Sequence, residues 1–145
     1  MKDEQERGRI TAIRNRRRKA VEHALSMVPV IRQARAELGK PTLRAFADWL
    51  NERDYKTVRD KVWRAQTVSN LLSVDELVIR SAEDEHKRER AIEEALYRRR
   101  VAIGQDKSLV RAERDEKISQ SRQRLEDAIV EARRIKFELN RSHSS

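Results

Sequence analysis

Between residues 7 and 19 the chain reads RGRITAIRNRRRK, with Arg7, Arg9, Arg14, Arg16, Arg17, Arg18 and Lys19 and no acid. The chemistry open to such a run is anion binding: clustered cations hold counterions that a polyphosphate can displace, and guanidinium forks pair with phosphate oxygens. A second set lies further on, where Arg64, Gln66, Thr67 and Asn70 are side-chain types that read base edges in the major groove of duplex DNA. Between the two sets are residues suited to phosphate contacts. Thr42 and Arg44 stand where a helix N-terminus presents free amides, and Lys56, Arg59 and Lys61 flank a turn.

Enzymatic chemistry has little support. The chain has no cysteine, which removes thiolate nucleophiles, thiolate zinc sites and disulfides and favours an intracellular setting. Its three histidines, His23, His86 and His143, do not pair at ligand spacing. Glu83, Asp84, Glu85 and His86 superficially suggest a metal site, but consecutive helical residues point in different directions and cannot converge on one ion. The expectation is no catalytic residue, no metal site, no cofactor and no enzyme. No apolar stretch approaches a membrane span, and the opening MKDEQERGR lacks the apolar core of a signal peptide. The protein is accordingly expected in the cytoplasm, associated with the nucleoid.

The elements that must position these residues are helices. Of 145 residues 41% are charged and 4% aromatic, with three glycines and two prolines, a composition of long, solvent-washed helices. The net charge of +9 is concentrated in residues 7–19, and arginine outnumbers lysine 25 to 9. Ile10, Ile13, Ala20, Val21, Ala24 and Leu25 recur at helical spacing, which predicts a basic N-terminal helix over about 6–27 within a segment 1–27. The lesser alternative is a solvated basic helix that merely packs this stripe on the next domain.

Residues 28–73 hold both tryptophans and the densest apolar groups. Pro29 is expected to start a new helix, with Val30, Ile31, Ala34 and Leu38 as one stripe and Gly39 as its stop. Thr42 can cap a second helix carrying Leu43, Phe46, Ala47 and Leu50 on one face and ending near 51–54. A short polar link then leads to a third helix, about 64–72, which buries Val68, Leu71 and Leu72 and turns Arg64, Gln66, Thr67 and Asn70 outward. Trp63 is assigned to the core. Three short helices with a tight link between the last two make a helix-turn-helix unit.

Gly39, Thr42-Leu43-Arg44, Phe46-Ala47, Leu50-Asn51, Tyr55, Thr57, Trp63, Gln66, Val68 and Leu71-Leu72 form a pattern that resembles the DNA-binding segment following the catalytic domain of bacterial serine recombinases and resolvases. The resemblance covers about residues 14–72. It implies a DNA-binding module without recombinase activity in this chain, since the first thirty residues are too few for a catalytic domain. At two places the family has glycine where this chain has Asp54 and Asp60; Asp tolerates left-handed backbone better than most residues, so the turns can survive.

From 74 to 145 the pattern is a helical tail, with helices expected over about 74–103 and 108–140 and a break at Gly104. Ser73 to Glu76 reads as a capping box, and EDEHKRER at 83–90 reads as solvent-exposed on all sides. In the first tail helix Ile92, Ala95, Leu96, Ala102 and Ile103 form a stripe. In the second, Ile118, Leu125, Ala128, Ala132, Ile135 and Leu139, with Ser121 as a polar exception, fill a coiled-coil seam. This seam could close an antiparallel hairpin, join two chains, or do both as a hairpin that dimerises. The whole is an all-α fold, a small helix-turn-helix domain with a long helical hairpin or coiled-coil tail. The function it suggests is a double-stranded DNA-binding protein of a bacterium, plasmid or phage, a homodimeric transcriptional regulator or accessory architectural factor, with the tail open to a protein partner. The alternative is a helical assembly protein that works through its tail, its basic segment binding RNA or having no partner.

Overall fold

The computed structural model describes residues 2–141. Met1 and residues 142–145, including His143, lie outside the described residues. Five helices follow one another: α1 (Lys2–Leu38), α2 (Leu43–Glu52), α3 (Ala65–Leu72), α4 (Val74–Ala102) and α5 (Lys107–Asn140). The described residues contain no strand, as an all-α fold requires.

The long helices make the frame. α4 and α5 form an antiparallel hairpin through a turn in which Gly104 takes φ 90° and Asp106 caps α5 by accepting from the Leu109 amide. α1 packs along this hairpin, so the expected separate N-terminal helix is the third member of a three-helix bundle. Its apolar face, Val21, Ala24, Val28 and Ile31, joins Val78 and Ala82 of α4 and Ala128, Ala132, Ile135 and Leu139 of α5 in one buried cluster. That cluster continues through Phe46, Trp49 and Leu50 of α2, Trp63, and Val68 and Leu71 of α3. The boundary expected between residues 27 and 28 therefore cuts through both a helix and a core.

Pro29 does not start a helix, contrary to the sequence reading; α1 runs through it. A proline inside a helix removes one hydrogen bond and crowds the carbonyl four residues back. Here both Pro29 and Leu25 face solvent, so water can satisfy the freed carbonyl while Val28 and Ile31, on the other side, are buried in the core. Packing on either side of the proline overrides its local preference. Gly39, at φ 73°, ends α1 as expected, its amide donating to the Arg35 carbonyl.

α2 begins where Thr42 accepts from the Ala45 amide. The link from α2 to α3 is longer than the tight turn the sequence suggested, running from Arg53 to Arg64. Its order comes from Asn51, whose side chain donates to the Trp63 carbonyl at 2.8 Å and accepts the Trp63 amide at 2.7 Å, a strand-like exchange made by a side chain. Asp54 and Asp60 both take φ 60°, the left-handed geometry that the family's glycines imply at these positions. Ser73 joins α3 to α4, but its hydroxyl donates to the Ser69 carbonyl and forms no capping box with Glu76.

The expectation of solvent around 83–90 is overturned. Glu85 is 4% exposed, and His86, Arg88 and Glu89 are half-buried, because α1 and α5 both lie against this stretch. In the first tail helix Ile92 is buried, whereas Ala95 and Ala102 are exposed and Ile103 is 70% exposed at the hairpin turn. The seam of α5 is occupied within the chain: Ser121, Ala128, Ala132, Ile135 and Leu139 are buried, and Ile118 and Leu125 half-buried. The buried ones close an intrachain bundle, while Ile118 and Leu125 line a cleft between α4 and α5.

Candidate nucleic-acid interface

The basic run does not act as one patch. Arg14 pairs with Glu85 at 2.5 Å and Glu89 at 2.7 Å, and Arg17 with Glu85 at 3.0 Å. Asp3 with Arg99 and Glu6 with Arg88 extend this antiparallel pairing of α1 with α4 toward the start of α1. Glu89 also receives Arg124 of α5 at 2.7 Å, while Ser121 and His86 meet at 2.7 Å beside it. Burial pushes the Glu89 carboxyl up, but hydrogen bonds from Ser121 and Arg124, with the charges of Arg124 and Arg14, outweigh it and hold the group below its ordinary value. A polar layer thus crosses all three long helices. Two of the arginines expected on phosphate, Arg14 and Arg17, pair with carboxylates of α4 in this structure.

The remaining cations divide by side. Arg9, Arg16 and His23 fall at seven-residue steps and Lys19 between them, so they share one side of α1; Arg18 lies across the helix and stands near Glu22 at 3.9 Å. Arg16 and Lys19 are exposed and have no carboxylate partner among the described residues. On this same side Ala20 and His23 meet the α2–α3 loop and α3 around a groove of ≈ 430 Å³.

The loop straddles the start of α3. Arg59 and Thr57 line the groove toward α1, together with Thr67 and Asn70, whereas Lys56, Lys61, Arg64 and Thr67 line a cleft on the other side. Thr57 holds the loop tip: its hydroxyl accepts from the Lys61 amide at 3.1 Å. Lys56 pairs with Asp54 at 3.2 Å, leaving Arg59 and Lys61 exposed. Thr42 is used as the cap of α2 and Arg44 is exposed in its first turn, away from both clefts.

Four residues were expected to read bases, and the structure separates them. Gln66 and Asn70 are exposed one turn apart on α3, with Gln66 Nε2 donating to Asn70 Oδ1 at 2.9 Å. Thr67 is half-buried and its hydroxyl both accepts the Arg64 amide and donates to the Arg64 carbonyl, at 2.8 Å each, so it serves the helix start. Arg64 is the N-cap residue in extended backbone, not part of the helix, and its side chain stands with Lys56 and Lys61. The sequence reading missed His23, which stacks on Trp63 with ring centroids 6.0 Å apart. Its heptad step from Arg9 and Arg16 was the available signal. Trp63 itself is buried, as expected.

Among the described residues no group of three or more His, Cys, Asp or Glu is placed to hold a metal, and no helix is long and apolar enough to cross a membrane. No curated protein and no solved structure shows significant similarity to the chain. A family model described as Recombinase matches residues 26–123, from within α1 to within α5. The match takes in the α4–α5 hairpin as well as the segment that carries the resemblance. It spans more than half of the chain, with the loop and α3 at its centre, and the chain belongs to the Recombinase family.

Proposed function

We propose that this recombination-related chain binds duplex DNA, with α3 in the major groove and with the 56–64 loop and the Arg16 side of α1 on flanking phosphates. The observation that carries the reading is the exposed Gln66–Asn70 pair. Such a pair presents an amide carbonyl beside amide N–H donors, complementary to the exocyclic amino group and N7 of adenine. Arg59 and Lys61 on one hand and Arg16 and Lys19 on the other supply cations to either side of it. The chain's role in this reading is recognition, not strand chemistry.

A dimeric regulator or accessory architectural factor is the narrower form of the proposal. One short helix reads few base pairs, and a second copy on a neighbouring half-site adds affinity and specificity. Contacts between copies would come from outside the α5 seam, which is filled within the chain. The test is selection from a random duplex pool followed by electrophoretic shift. Gln66→Ala with Asn70→Ala should abolish preference for the selected site, with a loss of roughly 1–3 kcal/mol for each bidentate contact. Arg16→Gln with Lys19→Gln should weaken all duplexes alike and reduce the salt slope by about two. Equal binding to every duplex, unchanged by the α3 pair, would remove base readout. Absence of binding at low salt would favour an assembly protein instead.

A further inference from the structure

The groove between α1, the loop and α3 is a site in its own right. Its polar lining includes several hydrogen-bond donors. Trp63 is 4% exposed and its indole N–H has no acceptor among the described residues, where the buried His23 Nε2 has no partner either. Thr57 accepts from the Lys61 amide, which leaves its own hydroxyl proton uncommitted, and Asn70 spends its carbonyl oxygen on Gln66, which leaves its amide N–H groups. Arg59 adds a guanidinium. Among the described residues no carboxylate lines the groove, and Arg59 is the charged group facing His23 across it. Buried donors without acceptors are rare in folded proteins because each loses its bond to water. The Trp63 indole is a fixed donor of this kind, and His23 Nε2 becomes one on protonation; beside the free donors of Thr57, Asn70 and Arg59 they suit a ligand that only accepts and is anionic.

We propose that this groove seats a phosphate group of the DNA backbone, held by Arg59 and protonated His23 with Trp63 Nε1 and Thr57 Oγ1 as neutral donors. The assignment rests on the duplex-binding reading and adds a defined phosphate to it. Asn70 belongs both to the groove and to the outer side of α3, so a phosphate seated here lies beside the base edges that α3 would read. Val58 and Leu77 provide an apolar side suited to the sugar. Burial holds the His23 pKa below its ordinary value in the free protein, and a phosphate in contact would reverse that shift. Binding should therefore take up a proton.

Two indole signals make the test direct on the full chain. Trp49 Nε1 already donates to Glu37 at 2.5 Å and serves as the internal control. Adding a short duplex should shift the Trp63 indole N–H resonance and raise the His23 pKa, with Trp49 unmoved. Inorganic phosphate added alone distinguishes the sources: the same shifts at millimolar phosphate assign the site to free phosphate, which overturns the backbone assignment. Wild-type affinity for duplex should rise as pH falls from 8 to 6. His23→Gln should flatten that rise, with roughly tenfold loss at pH 6, the size of one charge-assisted hydrogen bond. His86→Gln should leave the rise in place. Should the chain bind duplex with Trp63 and His23 unperturbed, this inference fails while the duplex reading stands; no duplex binding at any pH removes both.

Discussion

Glu85→Gln tests whether the α1–α4 ion pairs clamp the bundle. The Glu85 side chain is 5% exposed, Arg17 19% and Arg14 43%. When the carboxylate is lost, Arg14 keeps Glu89 at 2.7 Å and can rehydrate, whereas Arg17 keeps no carboxylate among the described residues. The cost thus falls mainly on the Arg17 pair. Exposed pairs contribute ~0.2–1 kcal/mol, and removing one partner of a buried pair costs ~3–5 kcal/mol. A buried carboxylate facing a guanidinium one-fifth exposed lies between, at about 2–3 kcal/mol, or roughly 6–10 °C in Tm for a chain of this size. Urea unfolding followed by circular dichroism reads the loss, and a cycle with Arg17→Gln should assign at least half of it to that pair. Replacing both residues with leucine should restore stability or exceed it, because a buried pair seldom outperforms apolar packing. A change in Glu85→Gln below about 0.5 kcal/mol, or one erased by 0.5 M salt, would refute a structural clamp and reduce the pair to surface electrostatics.

Asp60→Gly should leave stability unchanged or raise it by up to ~1 kcal/mol, since φ 60° is strained for a residue with a Cβ, while Asp60→Val should lower it by about 1–2 kcal/mol. Thermal denaturation of the two variants checks the opposite signs. Burial lowers the His23 pKa, and burial with the charges of Arg90, Arg122 and Arg124 against Glu89 lowers that of His86. Below the ordinary value of 6.5 the unfolded chain therefore binds more protons than the folded one. Stability is full above pH 6.5 and declines as pH falls toward the folded values, and urea midpoints from pH 8 to 5 should show a decline that His23→Gln with His86→Gln reduces.

Local signals were legible and partnerships were not. Thr42, Gly39, Gly104 and the α3 stripe could be read directly because a cap, a left-handed stop or a face is set by residues within one or two turns. The two aspartates could be read through the family pattern, and their φ of 60° follows it. Pro29 misled because its local cost is real but smaller than the burial of Val28 and Ile31 across it. The stretch 83–90 misled more, since a charged helix facing a second charged helix looks the same in sequence as one facing water. Only the fold supplies the partners of Arg14 and Arg17, about seventy residues away. The site narrowed accordingly: Gln66 and Asn70 kept their outward place, Arg64 and Thr67 moved to the helix start, and His23 entered with no sequence signal beyond its heptad step.

The separation in sequence between α1 and its partner α5 has a kinetic consequence. Arg32 meets Glu138 and Arg35 meets the Leu139 carbonyl, so α1 finds these neighbours only when α5 has been synthesised. At roughly 5–20 residues per second, a nascent α1 waits on the order of 5–20 s with the part of its apolar face that α5 covers, and with Arg32 and Arg35, still uncovered. Contacts of such separation also make the closing step the slow one, because the whole chain must be looped before it is rewarded. The polar layer then acts as a register mark: a slip of one turn between α1 and the hairpin would leave the buried Glu85 facing at most one arginine instead of two, which penalises misaligned bundles at the moment of docking.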